Sequence, residues 1–142
     1  MRLSPLLLLS LFTWIGCADH GVQPGAASGY YALWVSLGIH DYAVDQSRDC
    51  FCAEERGPVR LTVRSGHILS VMRLSDSALV PLADASLFRT IDSLFSVIRT
   101  TQDSIVVSYN PDYGYPEVLT INPQQIPVDG GIVYRTSDLR VP

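Results

Sequence analysis

The chain of 142 residues contains no lysine, and its ten basic residues are all arginines. Fourteen acidic residues outnumber them, giving a net charge of −4, and the arginines form no cluster. Binding to nucleic acid needs a cationic face that neutralises phosphates. The composition therefore argues against a nucleic-acid partner. The missing lysine also removes Schiff-base and P-loop chemistry, since both depend on that side chain.

Motifs that carry catalysis or metal binding are missing as well. The sequence has no G-x-S-x-G, H-E-x-x-H, P-loop or G-x-G-x-x-G segment. Its histidines are far apart, and no set of four ligands with the spacing of a structural zinc site is present. We therefore expect a protein without catalytic residues, metal or cofactor.

No apolar run reaches the roughly 20 residues that a membrane-spanning helix needs. The N-terminal run, Leu3 to Ile15, has 13 residues and follows Arg2, which is typical of a signal peptide. It ends in Trp14-Ile15-Gly16-Cys17, which resembles the lipobox of bacterial lipoproteins, where a small residue precedes the cysteine that is acylated. The sequence therefore predicts a signal peptide over residues 1–16 and lipidation of Cys17.

The segment behind Cys17 is small, uncharged over most of its length and aperiodic, which is typical of a flexible tether. We predict a tether over residues 17–28 and a single domain over residues 29–142, anchored in the cell envelope. In a cell with two membranes, Ala18 beside the cysteine favours sorting to the outer membrane. The alternative is cleavage after Ala27, between small residues, which would give a soluble secreted or periplasmic protein.

The hydrophobic pattern of the domain predicts two helices and six strands. A stripe from Tyr30 to Leu37 indicates a helix with Ser28 as N-cap, and a second stripe lies between Leu87 and Thr101. The start of the second helix stays open between caps at Asp84 or Ser86 and a cap at Thr90. Period-two segments form the strands, with a turn at Ser65-Gly66. The predicted class is α+β, an antiparallel sheet with two helices packed on one face, in the order α-β-β-β-α-β-β-β. On the first strand, Asp41, Asp45 and Asp49 share one parity and are interpreted as a solvated face.

Cys50 and Cys52 are the sharpest candidate pair. In an oxidising compartment a disulfide is the default expectation. Residues i and i+2 of a regular strand lie roughly 6.5–7 Å apart at Cα, so a bond between them implies a bulge or turn. Two buried free thiols and a redox-active pair are the alternatives.

Tyr113 and Tyr115 lie in a loop marked by proline and glycine between two predicted strands. Tyrosine is favoured at interfaces because a rigid apolar ring carries a polar tip. The alternative is a structural role, in which Tyr109 packs in the core and Tyr115 stacks against Pro116 to fix the turn. We interpret Tyr113 and Tyr115 as the candidate surface for a protein partner in the envelope.

Three segments give the chain a family resemblance: Cys50-Phe51-Cys52, Thr90-Ile91-Asp92-Ser93-Leu94-Phe95 and Tyr109-Asn110-Pro111-Asp112-Tyr113-Gly114-Tyr115-Pro116. They are similar to motifs of small exported bacterial proteins in domain-of-unknown-function family 6174. The resemblance covers Trp34 to Arg140 and implies a fold and a location, but no activity. Asn110 replaces the aspartate more usual in the tyrosine turn.

These observations predict a non-enzymatic lipoprotein that acts as a binding or structural module. Two alternatives stay open. One is a thiol-disulfide oxidoreductase using Cys50 and Cys52, and the other is an inhibitor-like protein that presents the Tyr113/Tyr115 hairpin.

Overall fold

The computed structural model of the chain describes residues 24–53, 57–126 and 130–142. The predicted signal peptide and Cys17 lie outside the described residues. The helices and strands follow in the order α1 (Pro24–Leu37), β1 (Tyr42–Cys50), β2 (Val59–Arg64), β3 (His67–Arg73), α2 (Leu82–Ala85), α3 (Ile91–Thr100), β4 (Ile105–Tyr109), β5 (Pro116–Ile121) and β6 (Ile132–Arg140), with a 3₁₀ turn at Pro123–Gln125.

The six strands form one antiparallel sheet in the order β3-β2-β1-β6-β5-β4. Each half of the chain makes a three-stranded meander, and the two meanders join through β1 and β6 at the centre. The predicted α+β class and element order are confirmed. The one-turn helix α2 is present in addition to the two predicted helices.

One face of the sheet packs against the helices. Strand β1 shows the reason, because its residues alternate between buried positions and positions on the other face. The buried core includes Trp34 and Phe95 from the helices, and Tyr42, Val44, Val59, Leu61, Val63, Tyr115, Leu119 and Tyr134 from the sheet or its turns.

The two long helices lie side by side and run in opposite directions, since Tyr31 contacts Phe95 whereas Trp34, further along α1, bonds the earlier residue Asp92 of α3. In α1, Tyr30 stacks on Tyr109 at the end of the edge strand β4, with ring centroids 4.6 Å apart. One turn later, Trp34 meets Tyr42 of β1 edge to face at 5.7 Å. Helix α1 therefore runs from the β4 edge towards the centre of the sheet. No helix within the described ranges is long and apolar enough to cross a bilayer.

The helix starts differ in how well the sequence predicts them. Helix α1 begins at Pro24, before the predicted cap at Ser28, because proline suits the first turn and alanines 26 and 27 favour the helix. Residues 24–28 of the predicted tether are therefore helical. Helix α3 begins at Ile91 with Thr90 as its cap, whose hydroxyl accepts from the Ser93 amide at 3.1 Å. The Thr90 alternative is confirmed.

The other face of the sheet carries cross-strand ion pairs. Arg60 donates two hydrogen bonds to Asp45, at 2.7 and 2.8 Å, on the neighbouring strand. Asp45 is consequently only 14% exposed, which corrects the interpretation that it is solvated. Asp41 and Asp49 are exposed as expected. Charge pairing between strands therefore stabilises this face, whereas the opposite face packs mainly through apolar side chains.

Candidate functional site

The loop between β4 and β5 is closed by the side chain of Asn110. Its carbonyl oxygen accepts from the amides of Asp112 and Tyr113, at 3.0 and 2.9 Å, and its amide group donates to Glu117 at 2.9 Å. The Asn110 backbone carbonyl accepts from the Gly114 amide at 2.9 Å. Asn110 therefore shapes the turn with every part of its side chain.

Gly114 brings this turn into contact with α1. Its φ is +80°, and a Cβ built on it would lie 2.5 Å from the Tyr30 carbonyl oxygen and 3.3 Å from the Trp34 amide nitrogen. Only glycine satisfies both the left-handed backbone and this close approach. The turn is thus docked on the helix.

The two tyrosines of the turn have different surroundings. Tyr115 is 4% exposed and belongs to the core cluster around Trp34, whereas Tyr113 is 38% exposed. This corrects the expectation that both rings contact a partner, because burial leaves Tyr115 no accessible surface. Burial also raises the pKa of the Tyr115 phenol. Tyr113 keeps the predicted exposure, and its role in binding stays a prediction.

Tyr109 at the start of the turn is part of an aromatic stack. Its ring lies between Tyr30 at 4.6 Å and Phe95 at 6.1 Å, both nearly parallel to it. Burial raises the pKa of the Tyr109 phenol, and its hydroxyl finds no hydrogen-bond partner among the described residues. The stack joins α1, α3 and β4.

A buried glutamine, Gln46, is hydrogen-bonded to the backbone just before α3. The Gln46 side chain, 1% exposed, accepts from the Arg89 amide at 2.9 Å and donates to the Arg89 carbonyl at 3.0 Å. Beside it, the Tyr42 hydroxyl accepts from the Ile91 amide at 2.9 Å, and the Trp34 indole donates to Asp92 at 3.1 Å. The sequence reasoning missed Gln46, although a glutamine at an inward position of an apolar strand signals a buried partner.

Cys50 and Cys52 lie at the end of β1. Their Cα atoms are 5.3 Å apart, within the range that a disulfide requires, and their sulfur atoms are in contact. The strand ends at Cys50, and the chain bends at Phe51, which agrees with the expected departure from a regular strand. The Phe51 side chain is 77% exposed. This cysteine turn (50–52) therefore places an aromatic ring in solvent directly beside two sulfur atoms.

An apolar groove lies beside the edge strand β3. It has a volume of about 400 Å³ and borders the edge strand β3, and its rim includes Leu69 and Leu79, which are 69% and 71% exposed. Leu79 forms an isolated bridge with Met72, so the segment after β3 covers part of that edge. Within the described part of the chain, no three metal-binding side chains come together.

The fold and these sites define a small α+β domain of two antiparallel meanders with helices on one face, a docked tyrosine turn and an exposed cysteine turn. The chain belongs to the family of unknown function DUF6174, whose model matches residues 28–141. The predicted family membership is thereby confirmed. No curated protein and no solved structure matches the chain.

Proposed function

We propose that the protein is a lipoprotein of the cell envelope, tethered to a membrane through Cys17 and acting as a non-enzymatic binding or structural module. One observation carries the proposal: an apolar segment, Leu3 to Ile15, ends at Gly16-Cys17, seven positions before Pro24. A short apolar run that ends in a small residue and a cysteine suits acylation.

The position of α1 supports this cleavage site over the alternative after Ala27. Cleavage after Ala27 would remove residues 24–27, which form the first turn of α1. Processing at Cys17 keeps the whole helix. The soluble alternative therefore requires a mature chain whose first helix is truncated.

Replacing Cys17 with Ser tests the anchor, with Ala18→Ser as the matched control. We expect Cys17→Ser to accumulate as an unprocessed precursor or to enter the soluble fraction, while the control stays in the membrane fraction. Mass spectrometry of the control should show an acylated chain that begins at Cys17. A soluble mature chain that begins at Ser28 would contradict the proposal.

We also propose that Cys50 and Cys52 form a structural disulfide, which an oxidising envelope favours. Thiol-blocking reagents applied to the denatured protein should then label neither cysteine. Replacing both with Ser should lower the free energy of unfolding only modestly, since a loop closed over so few residues removes little entropy. Labelling of both residues would contradict the disulfide.

Thiol-disulfide exchange is the second candidate, because both cysteines are partly exposed at the end of β1. In that reaction the reduced pair would give two electrons and two protons to a substrate disulfide and become a disulfide itself. Our account expects the reduced protein to react with a model disulfide no faster than a simple dithiol. Faster reduction that disappears in the Cys50→Ser/Cys52→Ser variant would support the enzyme instead.

The exposed ring of Tyr113 is our candidate for contact with an envelope protein, in the manner of a binding module or an inhibitor. The turn that carries it is already ordered by Asn110 and Gly114, so binding would order little additional chain. A hairpin fixed before binding suits recognition.

A further inference from the structure

The second half of the edge strand β3 already carries an added strand, which the chain itself supplies. Residues 78–80 run antiparallel to it. The amide of Val80 donates to the Val71 carbonyl at 2.9 Å, and the amide of Arg73 donates to the Ala78 carbonyl at 2.8 Å. The outward backbone groups of an edge strand are a template for a further strand. In this half of β3 the chain fills the template with its own backbone.

The first half of β3, residues 67–70, borders the apolar groove instead. After Val80 the chain turns away at Pro81 and enters α2. The groove therefore has β3 as one wall, with Leu69 on its rim, and Ala85 and Ser86 as the other. It begins where the chain's own added segment ends, so it continues the same strand edge.

Leu69 leaves this edge unprotected. On β3, Ser70 and Ile68 have partners on β2, and Leu69 between them has none, because a bulge interrupts the register there. Bulges blunt many sheet edges, and charged side chains or proline usually add to that protection. Leu69 supplies neither, since it presents an apolar side chain to solvent. The bulge therefore carries an apolar contact at the position where a protected edge carries a charge.

Apolar exposure is concentrated beside this groove. Among the described residues, Leu69 and Leu79 are two of the three most exposed large apolar side chains, and both border the groove. Exposed apolar patches mark interaction sites. The volume of about 400 Å³ is within the range of pockets that take up ligand groups. The groove thus combines an open strand edge with a place for an apolar side chain.

We propose that an extended segment of another protein adds to β3 as a further strand, with its backbone along residues 67–70 and an apolar side chain in the groove. In this mode of recognition the backbone hydrogen bonds give affinity, and the pockets for alternate side chains give specificity. The site is separate from Cys17 and from Tyr113. The inference therefore goes beyond the proposed function and does not depend on the lipid anchor.

A second copy of the chain fits this edge less well than a free segment does. In each copy, residues 78–80 cover the second half of β3, and the turn at Ser65-Gly66 precedes the first half. Two copies would therefore pair over four residues at most. A free extended segment has no such limit, because it continues past Ser70 between β3 and α2. The stated partner is accordingly a peptide segment with apolar residues at alternate positions.

A library of random linear peptides, displayed on phage, provides the probe. It is panned on the full mature chain in phosphatidylcholine nanodiscs, after phage that bind empty nanodiscs have been removed. We expect the selected peptides to have apolar residues at alternate positions, because one face of a strand enters the groove. A selected peptide, synthesised and added to the wild-type chain, should slow hydrogen exchange at residues 67–71, since an added strand covers those amides.

Leu69→Lys tests the contact in the groove, with Val106→Lys as its matched control. Val106 is also an exposed apolar residue on an edge strand, but it lies on β4 at the other edge of the sheet. We expect the affinity for the peptide to fall about tenfold or more in Leu69→Lys, because peptide binding would bury the ammonium group without a partner. The control should bind as the wild type does. Both variants should keep the wild-type unfolding midpoint, because both side chains are exposed.

Slowed exchange at residues 67–71, together with the selective loss in Leu69→Lys, supports the proposal. Apolar residues that repeat every three or four positions in the selected peptides would indicate a helix in the groove and overturn it. Unchanged exchange at residues 67–71 overturns it as well, even if Leu69→Lys fails to fold. The same holds for equal losses in both variants and for a library without any binder. Dimers of the wild-type chain that Leu69→Lys dissociates would assign the groove to a second copy and overturn the peptide partner.

Discussion

Two turns of this domain each place an aromatic ring in a short, distinctive motif, and they use it in opposite ways. In the tyrosine turn, Tyr115 and Gly114 are buried against α1. In the cysteine turn, Phe51 is 77% exposed between its two cysteines. An aromatic motif thus does not indicate by itself whether its rings face the core or the solvent. The element that packs on the turn decides this.

The difference follows from what each turn contacts. The tyrosine turn lies beneath a helix that supplies backbone atoms within 3.3 Å of the Gly114 Cβ position, and Asn110 satisfies its amides. The cysteine turn ends a central strand and points beyond the sheet. The tyrosine turn is therefore a folding element, whereas Phe51 of the cysteine turn and the ring of Tyr113 are exposed to solvent.

The largest expected effect is that of Gly114→Ala, with Gly66→Ala as its matched control. Both glycines have a positive φ, +80° and +76°, but only Gly114 has atoms within 4 Å of its Cβ position. The control should cost about 1–2 kcal/mol for the left-handed backbone alone. Gly114→Ala should cost about 4 kcal/mol or more, since the helix backbone must move. Equal midpoints in urea unfolding would show that the turn is not docked.

Gln46→Met should cause the second-largest loss of stability. Its control is Ser47→Ala, on the other face of the same strand. The change leaves the buried amide and carbonyl of Arg89 without their partner, at about 1–3 kcal/mol for each group. We expect a total of about 2–4 kcal/mol from denaturant unfolding, and less than about 0.5 kcal/mol for the control. A loss equal to that of the control would mean that the link between β1 and α3 is dispensable.

Stability should also fall at alkaline pH. Burial raises the pKa of the Tyr42 phenol far above its ordinary value, and the charge of Asp92 adds to the rise, while the Ile91 amide acts in the opposite direction. The folded state therefore keeps its proton at a pH where the unfolded chain has lost it. The stabilisation is complete below pH about 10 and declines above it. Unfolding at pH 8 and pH 11 should show this decline, and Tyr42→Phe should reduce its slope. An unchanged slope in Tyr42→Phe would assign the decline to other groups.

Substitutions of the two exposed rings should have the smallest effects on stability. Tyr113→Ala should cost about 1 kcal/mol and weaken association with a partner, and Phe51→Ser should cost no more than about 0.5 kcal/mol. Thermal unfolding measures both, and co-purification from envelope extracts reports on association. If Phe51→Ser destabilises the domain more than Tyr113→Ala does, then the cysteine turn contributes more to folding than the tyrosine turn, and our comparison of the two turns is wrong.

Local patterns predicted most of this fold. Period-two segments located the strands, and Thr90 before Ile91 and Asp92 marked the start of α3. The positive φ at Ser65 and Gly66 suits the predicted two-residue turn.

Most failures concern contacts between residues distant in sequence. The burial of Tyr115 depends on α1, and the burial of Asp45 depends on Arg60 across the sheet. One failure is local: α1 begins at Pro24, within the segment whose composition predicts a tether, because Pro24 and alanines 26 and 27 suit the first turn of a helix. The inward position of Gln46 signals a buried partner, but its partner, the backbone of Arg89, lies 43 residues away along the chain and cannot be identified from a local pattern.

Native-state hydrogen exchange of the two turns tests the account most directly. The amides of Tyr113 and Gly114 donate to Asn110 at 2.9 Å, and Gly114 lies against α1. The Gly114 amide should therefore exchange nearly as slowly as the amide of Val44 in the central strand, and the Tyr113 amide, whose bond is exposed, at an intermediate rate. The amides of Phe51 and Cys52 should exchange much faster. If the Tyr113 and Gly114 amides exchange as fast as those of Phe51 and Cys52, the tyrosine turn is not a folding element and the account is contradicted.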